Sequence, residues 1–311
     1  MWFKNLQIYR FSKPFEFSPE QLAEKLAEHE FVPCGSQDEL RYGWVAPLGR
    51  HGSDMVHAAN GYIMICARRQ QKILPAGVIN EAVEEQILEI EDQEGRKVGR
   101  KERQNLKDEM IITLRPRALV RSTLHYAYIS PQEGLMVVDA ASAKRAEELL
   151  DALRQAVGSL PVLPLQCKHI PQQVLTGWLL AGQAHSGFDL GHECELCDPL
   201  DEGSVIRAKN QDLSAELINN HLKAGMLVTK LAVSTDAGLE CVLDNNLAVK
   251  RVSFDDTIME RAGSEDAQDA AEQFDVDFSI MTLELSRFIK ALVQAMGGSE
   301  LADSAETIGH D

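Results

Sequence analysis

Residues 95–121 read GRKVGRKERQNLKDEMIITLRPRALVR. They hold nine basic residues (Arg96, Lys97, Arg100, Lys101, Arg103, Lys107, Arg115, Arg117, Arg121) against three acids (Glu102, Asp108, Glu109), in a chain whose formal net charge is −17. Arg96, Arg100, Arg103 and Lys107 are spaced four, three and four, which places them on one stripe of a helix. Leu106, Met110 and Leu114 make an adjoining apolar stripe, and Pro116 interrupts or ends the helix. The segment reads as a helix that packs along one face and presents cations on another.

Upstream, Glu81 to Glu94 carries seven acids and no Lys or Arg. Ile79, Val83, Ile87 and Ile90 recur there at helical spacing, so two helices joined near Gly95 form a hairpin projecting from a sheet. A concentration of cations suits a polyanion, because each phosphate neutralised releases condensed counterions whatever the base sequence. The competing reading is a solvated helix whose cations answer the acidic segment before it.

Around this hairpin the chain alternates strands and helices. Trp2 to Phe11 reads as a first strand. Ser18-Pro19-Glu20-Gln21 combines an N-cap, a first-turn proline and a capping-box glutamine, starting a helix to about Glu30 that buries Leu22, Ala23 and Leu26. Met55–Ala59 and Tyr62–Arg68 flank Asn60-Gly61, which favours a two-residue type I′ turn. Thr123–Ser130 and Leu135–Asp139 form a second hairpin about Pro131–Gly134. A helix capped by Ser142 then runs to Gly158, and Leu160–Leu165 returns as a strand.

A boundary near Gln166–Pro171 separates a second α+β region. It holds helices over 172–181 and 214–223, strands over 205–209 and 226–234, a turn at Asp244–Asn246 and a polar segment, Asp255–Glu272. The last helix carries Leu285, Phe288, Ile289, Leu292, Val293 and Met296 and stops at Gly297-Gly298. The tail after Ser299 reads as acidic and disordered. From Asp255 to Asp311 there are fourteen acids and three bases, so charge is segregated along the chain.

The 311 residues leave room for two or three domains, and the 44% hydrophobic content indicates a folded chain. No signal peptide is visible, and no apolar run approaches the roughly 18 residues of a membrane span. Six cysteines in a chain of this length suit reduced thiols in the cytoplasm rather than a disulfide framework. No phosphate loop, nucleophile elbow or Rossmann fingerprint occurs.

His192-Glu193-Cys194-Glu195-Leu196-Cys197, with Cys167 and His169 upstream, has zinc-like spacing but lacks a second close pair, which favours plain thiols over a metal. Asp275 and Asp277 alternate with Phe274, Val276 and Phe278, as in a half-buried strand with its acids in water. His57, His125 and His221 support no constellation. Arg207, Lys209, Lys223 and Lys230, with Gln211, form a second basic cluster.

Several phrases resemble those of the RdgC family, nucleoid-associated recombination regulators of proteobacteria. They include Trp2-Phe3-Lys4-Asn5-Leu6, Pro33-Cys34-Gly35-Ser36-Gln37, Ile65-Cys66-Ala67-Arg68 and Lys72-Ile73-Leu74-Pro75. Leu106-Lys107-Asp108-Glu109, Gly158-Ser159-Leu160-Pro161 and Arg207-Ala208-Lys209 before Gln211-Asp212-Leu213 follow in order.

The resemblance implies an α+β fold of mixed or antiparallel sheets with packed helices and a projecting helical hairpin, forming a ring-shaped homodimer. It implies a central body (1–76 and 118–168), a helical tip (77–117) and a base (169–311) with an acidic C-terminal tail. With no catalytic motif and no complete metal-ligand set in the sequence, the expectation is no catalytic activity, no cofactor and no metal. Expected instead are sequence-independent binding of double-stranded DNA, with single-stranded DNA as a further ligand, and antagonism of RecA in the cytoplasm and nucleoid.

The DNA contacts expected are Arg96, Lys97, Arg100, Lys101, Arg103, Lys107, Arg115, Arg117, Arg207, Lys209, Gln211, Lys223 and Lys230. Leu119 stands where the family can carry a phenylalanine at a subunit contact. Asn210 and Met226 stand at positions where the family can carry lysine. The alternative is an acidic protein-interaction adaptor without direct DNA binding.

Overall fold

Along residues 63–67 neighbouring side chains enter two different cores, and this sets the architecture. Ile63, Ile65 and Ala67 pack with Leu22, Leu26, Leu149 and Leu153, while Met64 packs with Phe278 and Met281. A strand covered on both faces reads as a continuous apolar run rather than an alternation, as Ile63–Ala67 does.

The computed structural model describes residues 1–264 and 269–299. The first half runs β1 (Leu6–Phe11), α1 (Pro19–Ala27), β2 (Leu40–Val45), β3 (Val56–Ala59), β4 (Tyr62–Ile73), α2 (Ala76–Glu94), α3 (Arg100–Leu114), β5 (Leu119–Ser130), β6 (Leu135–Asp139), α4 (Ala143–Val157) and β7 (Val162–Pro164). The second runs α5 (Pro171–Ala181), β8 (Phe188–Asp198), β9 (Asp201–Lys209), α6 (Glu216–Lys223), β10 (Leu227–Thr235), β11 (Leu239–Asp244), β12 (Val249–Phe254), α7 (Asp256–Ser264) and α8 (Ala270–Ala295).

The 12 strands form one sheet ordered β2-β4-β5-β6-β1-β12-β11-β10-β8-β9, with β3 on β4 and β7 on β1. Every ladder between them is antiparallel. The expected boundary at 166–171 falls between β7 and α5, and the sheet passes across it where Leu6 of β1 pairs with Val249 of β12. Helices α1 and α4 cover one face of the first half. The long α8 lies on the opposite face, joining Tyr128 and Phe188 in one apolar cluster.

Local signals account for many of these elements. Asn60 and Gly61 both have positive φ, 52° and 81°, as a type I′ turn requires. The Ser18 hydroxyl accepts from the Gln21 N–H at 3.3 Å while the Ser18 N–H donates to Gln21 Oε1 at 3.0 Å, completing the capping box.

Other expectations are corrected. β1 starts at Leu6 rather than Trp2, because the Lys4 and Asn5 N–H groups donate to Asp139 Oδ1 at 3.1 and 2.9 Å instead of entering the ladder. Ser142 occupies the N-cap of α4 but its hydroxyl makes no capping bond. The polar segment after Asp255 contains α7, whose Ile258 and Ala262 pack on Ile280.

Asp275 and Asp277 lie inside α8 rather than on a strand. The short alternation about them is overruled by the helical recurrence of Phe278, Met281, Leu285, Phe288, Ile289 and Leu292. Asp275 meets His57 Nε2 at 3.0 Å and Asp277 meets the Met1 amino group at 2.6 Å. The tail after Ser299 lies outside the described residues.

Candidate nucleic-acid interface

The tip is the antiparallel pair α2 and α3, closed by its own small core of Ile79, Val83, Ile87 and Leu106 with Ile90, Val98 and Met110 packed against it. Gly95 ends α2 in the left-handed region at φ 64°, donating to Glu91 O at 3.0 Å, a conformation that only glycine adopts without a Cβ penalty. The turn is pinned by the Val98 N–H on Glu91 Oε1 at 3.0 Å.

Helix α3 begins at Arg100, so Arg96 and Lys97 sit in the turn and the four-residue basic stripe is corrected to Arg100, Arg103 and Lys107. Glycines at 95 and 99 interrupt the helix, and the spacing of Arg96 continues a period the backbone has not yet adopted. Pro116 lies in a 3-10 turn, Arg115–Arg117, that ends the tip.

Charge on the tip is segregated between helices and partly cancelled. Arg96 donates to Glu94 at 2.6 Å and to both oxygens of Glu102 at 2.7 Å, and those bonds hold the Glu102 carboxyl below its usual range. Arg103 pairs with Glu84 across the hairpin. Arg115 reaches Gln37 O at 3.4 Å and Glu39 at 3.7 Å. Lys97, Arg100, Lys101, Lys107 and Arg117 make no ion pair among the described residues. These five are the tip cations left open to an external anion.

The second basic cluster meets carboxylates of β8. Glu195 accepts from Arg207 Nε at 2.7 Å and Lys230 Nζ at 2.8 Å, with the Thr229 hydroxyl at 3.1 Å. Burial disfavours its charge, but the bonds from Lys230, Arg207 and Thr229 outweigh this and bring its pKa down to about 2. Glu193 lies 2.8 Å from Arg251 and 4.0 Å from Lys209. Lys223, at the C-terminal end of α6, and Gln211 are exposed, and Lys223 has no ion pair among the described residues.

The zinc-like phrase is strand β8. Cys194 and Leu196 point inward and are buried, while Glu193 and Glu195 alternate outward. No disulfide joins the cysteines, and among the described residues no group of three or more His, Cys, Asp or Glu side chains could hold a metal.

Leu119 opens β5 and is 78% exposed, beside exposed Val120 and Leu124. Among the described residues, 119–126 of β5 pair with β4 only, since β6 pairs with 127–130, so one backbone edge is left open there.

The family model described as "Putative exonuclease, RdgC" matches residues 1–299. The chain belongs to the RdgC family. It is 46% identical over 300 residues to the recombination-associated protein RdgC of Aeromonas hydrophila, covering 96% of this chain and 99% of that protein. The proteins of the same name from Tolumonas auensis and Pseudomonas aeruginosa are 43% and 44% identical over 300 and 303 residues, with 96% and 97% of this chain and 99% of each relative covered.

In this RdgC-family chain, Glu193 and Glu195 are the residues whose role the sequence reading missed. Their alternation with Cys194 and Leu196 was the available signal, a half-buried strand placing two carboxylates on one face.

Proposed function

We propose that the chain is a sequence-independent duplex DNA-binding protein, acting in the cytoplasm and nucleoid, that closes as a dimeric ring around DNA and restrains RecA-promoted recombination. The observation that carries the reading is the set of cations Lys97, Arg100, Lys101 and Lys107, without an ion pair among the described residues, on a projecting hairpin of an otherwise acidic chain. Such cations neutralise phosphates and release counterions without reading bases. The name shared by the relatives, a recombination-associated protein, agrees with DNA as the partner.

The exposed apolar residues Leu119, Val120 and Leu124 beside an open strand edge support a subunit contact at that position. Lys209, Arg207 and Lys230 would take part once DNA phosphates compete with Glu193 and Glu195 for them. The ion pairs of Arg96 and Arg103 with acids of the same hairpin favour the adaptor reading, in which the tip is merely solvated.

Fluorescence anisotropy of labelled duplexes of unrelated sequence, titrated at several salt concentrations, separates the two. Similar affinities that fall linearly with salt in log–log form are expected. No binding at low salt would leave the adaptor.

A further inference from the structure

Between the tip and the body lies a cavity of 760 Å³ whose lining includes Arg69, Lys72, Arg115, Arg121 and Arg145. The volume falls within the range of small-molecule sites, about 300–1,000 Å³. Arg69 and Arg121 come from one face of the β4–β5 ladder, where Arg69 pairs with Thr123 and Gln71 with Arg121. Arg145 comes from the first turn of α4.

The acids near these cations do not balance them. Arg69 Nε, at 3.3 Å, and Arg145, at 2.8 Å, share the single carboxylate of Glu148. The Arg69 Nε atom is shut off from solvent and has no hydrogen-bond partner among the described residues, while Nη1 of the same side chain donates to Gln71 Oε1 at 2.6 Å. Lys72 leaves the opposite face of β4 from Arg69 and Gln71, and its ammonium donates to Ser36 O at 2.6 Å and Arg115 O at 2.9 Å within electrostatic reach of Asp38, so it closes the junction of tip and body rather than adding a free cation to the cavity. Arg121 has no ion pair among the described residues.

Of the two lining acids, Glu39 is engaged by Arg115 and Asp139 by the backbone of Lys4 and Asn5. The rest of the lining combines the polar Gln71, Thr123 and His125 with an apolar part that includes Leu74, Pro75, Ile79 and Ile111.

We propose that this cavity binds an organic phosphate, meaning a phosphomonoester or diphosphate carried by an apolar or aromatic group such as a nucleoside. The guanidiniums hold phosphate oxygens in forked pairs, and the aliphatic wall covers the organic part. The site goes beyond duplex binding and needs none of the open tip cations. Its ligand has two chemical sources, a free nucleotide or the 5′-phosphorylated end of a DNA strand.

Calorimetric titration of the full-length protein with ADP, pyrophosphate and adenosine tests it, with duplex binding measured in parallel. Expected is one ADP per chain, about tenfold or more tighter than adenosine, and a loss of about tenfold in Arg121→Gln. Arg121 is exposed, so that variant folds, as circular dichroism would verify. Lys107→Glu, which alters the tip, leaves ADP binding unchanged even where it weakens duplex binding.

Displacement of ADP by a 5′-phosphorylated hexanucleotide but not by its 5′-hydroxyl form assigns the strand end as the source. Displacement by neither assigns the free nucleotide. Absence of ADP and pyrophosphate binding, an unchanged affinity in Arg121→Gln, an equal loss in Lys107→Glu, or equal displacement by both hexanucleotides overturns the proposal.

Discussion

Glu195 Oε1 accepts from Lys230 Nζ at 2.8 Å across the β8–β10 ladder, and its other oxygen holds Arg207. One carboxylate thereby engages two of the cations expected to meet DNA. Replacing it by Glu195→Gln keeps a hydrogen-bonding group and removes the charge. Duplex affinity is expected to rise, with a salt slope steeper by up to about 2, since each freed cation adds roughly one released counterion. Anisotropy at several salt concentrations measures both, and an unchanged slope would remove this cluster from the interface.

The same carboxyl gives a pH dependence. Its folded pKa, about 2, lies below the ordinary 4.5. A carboxyl depressed on folding contributes stability that is present above the ordinary value and lost as pH falls from there towards the folded one. Denaturant unfolding between pH 5 and 2 should therefore show a smaller loss of stability in Glu195→Gln than in the wild type. Parallel curves for the two proteins would contradict the linkage.

On the tip, pairing ranks the cations. Arg103 is held by Glu84, whereas Arg100 and Lys107 have no carboxylate partner among the described residues. The double change Arg100→Glu and Lys107→Glu is expected to weaken duplex binding by at least about tenfold for every sequence alike, and Arg103→Gln by less. A loss confined to one sequence, or a larger effect of Arg103→Gln, would show that the open face is not the one that meets phosphate.

Gly43 of β2 sits against the end of the first helical segment. A Cβ there would lie 2.5 Å from Phe31 Cα, because the Phe31 N–H donates to Trp44 O at 2.9 Å and the Trp44 N–H to His29 O at 3.0 Å. Both sides of the clash are backbone, so neither yields by a rotamer change. Gly43→Ala is expected to cost about 1–3 kcal/mol, seen as a lower denaturation midpoint with an unchanged slope. A midpoint equal to the wild type would mean that 29–31 can move away freely.

What was legible in the sequence was local. The Asn60-Gly61 turn, the Ser18 capping box and the Gly95 junction depend on residues within a few positions of one another. The hairpin of α2 and α3 followed from periodicity alone. The features that escaped depend on distant partners. β8 was hidden by its polar half, since Glu193 and Glu195 make sense only beside Arg251 of β12, Arg207 of β9 and Lys230 of β10. The helical state of Asp275 and Asp277 is set by the apolar face α8 buries over 26 residues, longer than the alternation that suggested a strand. The ion pairs of Arg96 and Arg103 likewise join segments whose register no composition count reveals.

Leu119 provides the test of ring closure. It is exposed at the start of β5, beside Val120 and Leu124 and an open strand edge, an arrangement suited to apolar contact with a second copy. In light scattering the wild type is expected to have about twice the 34.5 kDa chain mass. Leu119→Glu places a charge in the contact and should shift the mass towards that of one chain at low concentration and speed DNA release. Leu119→Phe adds ring area at roughly 25 cal/mol per Å² of apolar surface covered and should shift association the other way. Because the side chain is solvent-facing in the single chain, neither change should move the unfolding midpoint of the monomer, which separates a contact effect from a folding one. An unaltered mass and release rate in Leu119→Glu would place the subunit contact elsewhere.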